Sequence, residues 1–102
     1  MASSNHKTIN ALSHSYLTHK RMLREEESGI ARRPSRYLEP ARIIVSHTEE
    51  VVDSLKERDR FIIYNEVILG KTGDWYREYL SPATYYRHRK SAYQAFIRSI
   101  KE

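Results

Sequence analysis

The fold is decided at residues 81–87, which read Ser81-Pro82-Ala83-Thr84-Tyr85-Tyr86-Arg87. A serine followed directly by a proline is a helix-start signal. The serine hydroxyl accepts a free backbone N–H, and proline loses no helical hydrogen bond at the first helical position. We therefore predict that a helix begins at Ser81 and continues to about residue 100.

This helix has two chemically different sides. At 100° per residue, Tyr85, Ala92 and Phe96 share one side, which we assign to the core. The opposite side carries small, polar and cationic residues, namely Ala83, Arg87, Lys90, Gln94, Arg98 and Lys101. A cationic stripe alone is most often the solvated face of a surface helix. The residues upstream of the helix therefore decide whether this stripe is only solvated or binds a partner.

The residues upstream supply that context. Gly70 and Gly73 mark a turn, and Asp74 is placed to cap a short helix from Trp75 to Leu80. A short helix, a turn and a longer helix with small residues at its start reproduce the layout of a helix-turn-helix. We predict this motif at about residues 74–100, with its second helix in the major groove of DNA.

The predicted contacts fall into two groups. Ala83 and Thr84 are small enough for the helix start to approach base edges, and Arg87 is placed to reach guanine acceptors or a phosphate. We expect the other residues to contact DNA phosphates, which positions the protein on the duplex without reading its sequence. The full set of predicted DNA-binding residues is Lys71, Ser81, Ala83, Thr84, Tyr86, Arg87, Lys90 and Arg98.

The aromatic residues around this helix allow two interpretations. The Tyr86 hydroxyl is placed to reach a phosphate, but an ordinary surface contact is equally open. Stacking platforms for single-stranded nucleic acid compete with core packing, and we favour the core for Tyr79 and Tyr85. Trp75 is expected to anchor the short helix, and Arg89 to extend from the core side to its edge.

The first half of the chain reads as one helix and a loop. A helix over residues 8–27 follows from the spacing of Ile9 and Tyr16, with Thr8 as its N-cap and Gly29 as its stop. Residues 28–42 contain two prolines and four arginines, Arg32, Arg33, Arg36 and Arg42, so we predict an irregular basic linker there.

The remaining residues, 43–102, form the predicted helical core. One or two helical segments follow residue 43, the second capped by Ser46 or Thr48. A strongly apolar helix then covers residues 61–69, with Phe61, Tyr64 and Ile68 at helical spacing. The chain is thus predicted to be a single all-α domain, residues 1–102, with a C-terminal helix-turn-helix.

Composition supports an intracellular polyanion-binding protein. There are 18 Lys and Arg against 13 Asp and Glu, a formal net charge of +5, and this excess favours a polyanionic partner such as double-stranded DNA. The sequence has no cysteine, which excludes disulfides and thiolate metal sites and favours a reducing cytoplasm. No apolar run has the length of a signal peptide or a membrane span, so we expect no membrane partner.

An enzyme is the first rival function. The five histidines are scattered, and His14 and His19 are five residues apart, which is wrong for a helical zinc pair. Gly70 and Gly73 lack the context of a phosphate-binding loop. We therefore expect no catalysis, no metal, no cofactor and no small-molecule substrate.

The segment from about residue 55 to 96 resembles the ArpU-type transcriptional regulators of Gram-positive phages and prophages. The resemblance is carried by residues 60–64, the turn at 70–75, the helix start at 79–87, with its Ser81, Thr84, Tyr85, Tyr86 and Arg87 pattern, and residues 90–96. These regulators in turn resemble the fourth-region helix-turn-helix of sigma factors. The resemblance implies control of phage late, packaging or lysis genes and leaves contact with RNA polymerase open.

Three alternatives remain open on the sequence. The amphipathic helices and the acidic run at residues 25–27 are compatible with a protein-interaction module, either an antirepressor or an anti-host factor. A small terminase-like DNA-packaging protein could display the same motif. The apolar surface could also serve a homodimer, because two helix-turn-helix units double the surface that reads DNA.

Overall fold

The computed structural model describes residues 4–30 and 34–102, and every regular element in these residues is helical. The four α-helices are α1, Ser4–Glu27; α2, Ser35–Ser54; α3, Glu57–Ile63; and α4, Pro82–Ile100. A π-helical segment, Tyr64–Ile68, continues α3, and a 3-10 turn, Trp75–Glu78, precedes α4. The prediction of an all-α fold is confirmed.

Helix α1 begins earlier than predicted and ends where predicted. It starts at Ser4, so Thr8 lies inside the helix and is not its N-cap. At the other end Gly29 has a φ of 77°, a left-handed conformation that suits a residue without a Cβ. The Gly29 N–H donates to the Glu26 carbonyl at 3.2 Å and the Ile30 N–H to the Glu25 carbonyl at 3.0 Å, which is a Schellman ending.

The predicted linker over residues 28–42 is wrong in its second half. Helix α2 begins at Ser35 and runs through Pro40. Proline inside a helix removes one backbone hydrogen bond, and its ring clashes with the preceding turn. Leu38, Ala41 and Val45 are nevertheless buried at helical spacing. Tertiary packing of that apolar face outweighs the local proline penalty, as is usual for helices in proteins. Arg32 and Arg33 lie outside the described residues.

Of the one or two helical segments predicted after residue 43, the structure has one, and the cap placed at Ser46 or Thr48 is wrong because α2 is continuous to Ser54. Thr48 is buried within the helix, and its hydroxyl donates back to the Ile44 carbonyl at 2.8 Å. A threonine that satisfies its hydroxyl in this way does not need a helix end. Glu49 and Glu50, which follow Thr48, therefore lie inside α2.

Helices α1 and α2 pair along their length and are linked by a polar contact. The Tyr16 hydroxyl donates to Glu49 Oε2 at 2.6 Å, and Lys20 Nζ lies 3.2 Å from the same oxygen. The hydrogen bond from Tyr16, together with Lys20, holds the pKa of the Glu49 carboxyl below its ordinary value. We call Tyr16, Lys20 and Glu49 the hairpin contact.

Helix α3 buries a different face from the one predicted. The innermost residues of α3 and its π extension are Ile62, Ile63 and Val67, each without exposed surface. Tyr64 and the following Leu69 are about half exposed. The chain widens to a π-helix at Tyr64, where the Leu69 N–H donates to the Tyr64 carbonyl at 3.0 Å. A π segment shifts the helical register, so a projection at a constant 100° per residue fails across it.

The core lies where these elements meet α4. Phe96 and Ala92 of α4 are fully enclosed and belong to one apolar cluster with Ile9, Val52 and Ile62. Ser13 of α1 donates to the Val67 carbonyl at 3.1 Å, which joins α1 to the π segment. Helix α4 is thus supported from behind by all three other helices. None of the helices in the described residues is long and apolar enough to cross a membrane.

Candidate nucleic-acid interface

Helix α4 begins as the sequence predicts. Ser81 is the N-cap, and its Oγ accepts from the Thr84 N–H at 3.3 Å, with Pro82 in the first helical turn. The Ser81 hydroxyl donates to Thr84 Oγ1 at 3.0 Å. Thr84 is half-buried and committed to this cap, whereas Ala83 is exposed. The helix start is therefore narrow and fixed in conformation.

The two sides of α4 are also as predicted. Tyr85, Ala92 and Phe96 are buried, and Tyr93 joins them. The opposite side consists of exposed residues, Ala83, Arg87, Lys90, Gln94, Arg98 and Lys101, which we call the outer face. Within the described residues, no acidic side chain forms an ion pair with Arg87, Lys90 or Arg98. Their positive charge is therefore directed to solvent.

The layout before α4 differs from the predicted one. The segment expected as a short helix from Trp75 to Leu80 is a single 3-10 turn ending at Glu78, and Asp74 makes no side-chain cap. Of the three other helices, α3 packs most extensively against α4. Residues 69–81 connect the π extension of α3 to α4, which is longer than the turn of a tight helix-turn-helix. A compact motif over residues 74–100 is therefore not what the structure shows.

Glu66, in the π segment, joins three elements to one carboxylate. Its Oε2 accepts from Trp75 Nε1 at 3.0 Å and from the Tyr85 hydroxyl, and its Oε1 accepts from the Tyr93 hydroxyl. Tyr85 and Tyr93 are almost fully buried. Burial, reinforced by the hydrogen bond to Glu66, raises the pKa of both tyrosines far above the ordinary value. We call these four residues the Glu66 cluster.

The Glu66 cluster determines the orientation of α4. Tyr85 and Tyr93 lie about two turns apart on the buried side of α4. Because both hydroxyls donate to the same Glu66 carboxylate, the two hydrogen bonds fix the rotation of the helix about its axis. Trp75 ties the turn before α4 to the same carboxylate. The sequence analysis missed this role, although an acidic residue within the apolar run 61–69 was a signal that a buried partner was needed.

Several aromatic residues lie differently from their prediction. Tyr85 is buried as expected and stacks on Tyr76, with ring centroids 3.7 Å apart. Tyr79, also expected in the core, is 57% exposed and packs edge-on against Phe61. One side of its ring faces solvent because the 3-10 turn ends before it. Trp75 is half-buried and anchors the turn, as predicted.

Tyr86 stands at the border between the outer face and α1. It is 54% exposed, and its ring lies edge-on to Tyr85 at 5.0 Å between centroids. The Arg89 guanidinium lies 5.3 Å from the Tyr86 ring centroid and 4.9 Å from that of Tyr93. Arg89 therefore lies at the edge of the core, as predicted, and contacts two aromatic rings there.

Arg89 also joins α4 to α1. It donates to His6 Nδ1 at 2.8 Å, and the His6 ring lies 6.2 Å from the Tyr93 ring. The start of α1 thus lies beside Arg89 and Tyr93 of α4, and the Arg89–His6 contact joins residues 83 positions apart in the sequence. Periodicity within a single helix carries no information about such a pairing, so the contact between α1 and α4 does not follow from the sequence pattern of either helix.

Lys71 lies on the turn between the π segment and the 3-10 turn. Its N–H donates to the Asn65 carbonyl at 3.0 Å, and its ammonium lies 5.9 Å from the Trp75 ring centroid. The flanking glycines Gly70 and Gly73 both have a positive φ, which allows the sharp turn that exposes Lys71. Lys71 is the one predicted DNA-binding residue that lies outside α4 and its cap.

The described residues contain no group of three His, Asp or Glu side chains able to hold a metal. Comparison with protein families, with curated proteins and with solved structures finds no match to this chain.

Proposed function

We propose that this chain is a double-stranded DNA-binding protein that places the start of α4 in the major groove. The observation that carries the proposal is the outer face of α4, whose cations are exposed and without acidic partners among the described residues. Unpaired cations on a rigid helix suit a polyanion, because binding releases the counterions condensed on DNA.

The start of α4 suits base readout. Ser81 caps the helix, Ala83 adds no bulk, and Arg87 lies one turn further along the same face. Arginine donates two parallel hydrogen bonds to the O6 and N7 atoms of guanine, which is the commonest specific contact in the major groove. Lys90 and Arg98 lie further along and suit phosphates, which position the helix without reading sequence.

The proposal does not require a tight helix-turn-helix, because α3 supports α4 in place of the predicted short helix and α4 remains the proposed recognition helix. A recognition helix needs a fixed orientation and an exposed face. The Glu66 cluster supplies the orientation, and α3 takes the place of the predicted short helix behind α4.

Within this class of DNA-binding proteins, the particular function we propose is that of an ArpU-type regulator of phage or prophage genes. This step rests on the resemblance of residues 55–96 alone, and above all on the Ser81, Thr84, Tyr85, Tyr86 and Arg87 pattern. The two tyrosines of that pattern lie on different sides of α4, Tyr85 inside and Tyr86 half-exposed.

The test is selection of bound duplexes from a random pool, followed by affinity measurements on the selected and a random duplex. We expect Arg87→Ala to weaken binding to the selected duplex by about 10- to 100-fold and binding to the random duplex much less. Arg87→Lys keeps the charge but loses the two-pronged donor, so it should lose discrimination as well.

The matched control is Arg42→Ala, which removes the same charge from an exposed position of α2 that pairs with Glu39 at 2.7 Å. It should leave discrimination unchanged. If Arg87→Ala loses the same affinity for the selected and for the random duplex, Arg87 does not read bases. If the unmodified chain retains no duplex at low salt and co-purifies with a protein at high salt, the interaction-module alternative is favoured instead.

A further inference from the structure

Two clefts lie on opposite sides of the outer face of α4. We infer that these clefts bind the two sugar–phosphate strands that border the major groove, so that the start of α1 and the corner between α2 and α3 belong to the DNA-binding surface. The inference rests on the proposed function, since it assumes that the outer face of α4 enters the groove.

The first cleft, which we call the α1 cleft, lies between α1, the Lys71 turn and the start of α4. It has a volume of 500 Å³ and is lined on the α1 side by Asn10 and His14 and on the α4 side by Tyr86 and Arg89. Lys71 completes its rim. Arginine, lysine, asparagine and tyrosine side chains all commonly donate to phosphate oxygens, and the His14 imidazole carries a ring N–H that is also able to donate.

Two acidic residues, Glu66 and Asp74, also line the α1 cleft, and among the described residues neither forms an ion pair with Lys71 or Arg89. The Glu66 carboxylate accepts from three donors in the Glu66 cluster, which occupy its oxygens. Asp74 lies 3.4 Å from the Arg77 Nε. The neighbour of Arg89 in α1 is His6, which accepts its hydrogen bond and does not cancel its charge. Lys71 and Arg89 therefore still have N–H groups available to a phosphate, while the carboxylates of Glu66 and Asp74 lower the net positive charge of the cleft.

The second cleft, which we call the corner cleft, lies between the start of α3 and the second half of α4. It has a volume of 360 Å³ and is lined by Lys56 and Arg58 from the corner and by Gln94 and Arg98 from the outer face. Lys56 is exposed at the N-cap of α3. This cleft therefore brings together three cations from two separate parts of the chain, Lys56 and Arg58 from the corner and Arg98 from α4.

Arg58 connects the corner cleft to α4. It donates to Ser91 Oγ at 3.1 Å, and its Nε lies 3.6 Å from Oδ1 of the buried Asp59. Its side chain is nevertheless 54% exposed. The guanidinium is thus held in place by two contacts and still has donors available to a ligand, because arginine carries five N–H groups.

The positions of the clefts match the geometry of a groove. At 100° per residue, Tyr86 in the α1 cleft and Ser91 in the corner cleft lie about 140° apart around α4, with Lys90 between them. A helix in the major groove has one phosphate strand on each side, and the groove is about 12 Å wide. The α1 cleft lies at the start of α4 and the corner cleft nearer its end, as expected for a helix that crosses the groove obliquely.

The experiment measures duplex binding by the full chain in Lys71→Ala and Lys56→Ala, one variant for each cleft. Both side chains are exposed, so both variants should fold, which circular dichroism checks. Each variant should weaken binding to selected and random duplexes alike, and each should reduce the slope of log affinity against log salt by about 1. Asn10→Ala should weaken binding in the same direction without changing that slope, because asparagine carries no charge.

The control for lost charge is Arg36→Ala, an exposed position eleven residues before the His47 that contacts the end of α4. At about 1.5 Å per residue it lies roughly 16 Å away along α2. It should change neither the affinity nor the slope by as much as the cleft variants do.

Strand assignment comes from duplexes in which single phosphates are replaced by uncharged methylphosphonates. A variant and a replacement that remove the same contact should not add in their effects, whereas independent losses should. We expect Lys71→Ala to be non-additive with a phosphate on one strand and Lys56→Ala with a phosphate on the other. Non-additivity with the same strand would overturn the two-sided arrangement.

The outcomes separate the two proposals. If the unmodified chain retains no duplex at low salt, the proposed function fails and the inference with it. If it binds duplex and both cleft variants bind as Arg36→Ala does, only the inference fails. A saturable response of the His14 resonances to inorganic phosphate, lost in Lys71→Ala without any change in duplex binding, would assign the α1 cleft to a small phosphate and also overturn it.

Discussion

The Glu66 cluster and the hairpin contact use the same chemistry for different purposes. In both, a glutamate carboxylate accepts hydrogen bonds from tyrosine hydroxyls. Glu66 gathers the π segment, the 3-10 turn and α4, and its partners Tyr85 and Tyr93 are buried. Glu49 joins only α1 and α2, and its side chain is 41% exposed. A carboxylate that bonds to donors from several elements therefore fixes the relative position of more of the structure than one that links only two helices.

The largest expected effect is that of Glu66→Ala. It leaves the hydroxyls of Tyr85 and Tyr93 buried without an acceptor, and an unsatisfied buried group costs about 1–3 kcal/mol. We expect the free energy of unfolding, measured by urea denaturation, to fall by about 3 kcal/mol or more. Glu66→Gln keeps one acceptor oxygen and should lose less.

Glu49→Ala is the matched control for this prediction, since it removes a carboxylate of the same kind from a half-exposed site. Its loss should be clearly smaller. Equal losses for Glu66→Ala and Glu49→Ala would mean that the number of dependent elements does not decide the effect.

A stability effect of intermediate size is expected from substitutions in the turn after Glu66, at Gly70 and Gly73. Gly70 has a φ of +67°, and a Cβ there would lie 2.8 Å from Cδ1 of Leu17. Gly73 has a φ of +66°, but a Cβ would meet nothing within 4 Å. A left-handed conformation costs a residue with a side chain about 1–2 kcal/mol. Gly73→Ala should show that cost alone.

Gly70→Ala should destabilise the chain more than Gly73→Ala in the same thermal or urea measurement, by the energy needed to displace the Leu17 side chain from Gly70. A total of about 2 kcal/mol is expected, because the displaced atoms are the end of a flexible side chain. Identical losses would show that α1 does not pack tightly against this turn.

The smallest effect is expected at the hairpin contact. Tyr16→Phe removes one hydrogen bond to a carboxylate, a loss of about 1 kcal/mol after allowance for the solvent that screens Glu49. Because the folded-state pKa of Glu49 lies below its ordinary value of 4.5, its contribution to stability is present above that value. It is lost as the pH falls through the lower, folded-state pKa.

The pH dependence gives this prediction its own measurement. In acid, the stabilities of Tyr16→Phe and of the unmodified chain should converge as the pH falls below 4.5, since the protonated carboxyl no longer favours the tyrosine donor. A difference that stays constant from neutral pH to pH 3 would contradict the charged hydrogen bond.

The sequence predicted what depends on local chemistry. The Ser81 cap, the two sides of α4 and the Gly29 ending of α1 each follow from a few adjacent residues, and all are present. The start of α2 was mistaken because prolines and arginines were given more weight than the spacing of Leu38, Ala41 and Val45. Local propensity loses to tertiary packing when an apolar stripe has a partner helix.

The rest required knowledge of distant contacts. Glu66 finds its donors 9, 19 and 27 residues away, and Arg89 meets His6 across 83. No window of a single helix contains these pairs, so their geometry could not be derived from periodicity. Four of the predicted site residues of α4 are exposed on the outer face, namely Ala83, Arg87, Lys90 and Arg98. Tyr86 lies at the border of this face, and Thr84 is half-buried with its hydroxyl in the cap.

The Glu66 cluster also makes the chain its own optical reporter. The sequence has one tryptophan, and its ring lies 5.9 Å from that of Tyr85 and 6.2 Å from that of Tyr76. Excitation of these tyrosines should therefore transfer efficiently to Trp75. The ammonium of Lys71 lies beside the same indole, and its indole N–H is bonded to Glu66. Emission from this single fluorophore should change in colour and intensity whenever the turn, the carboxylate or the α1 cleft changes state, without any attached label.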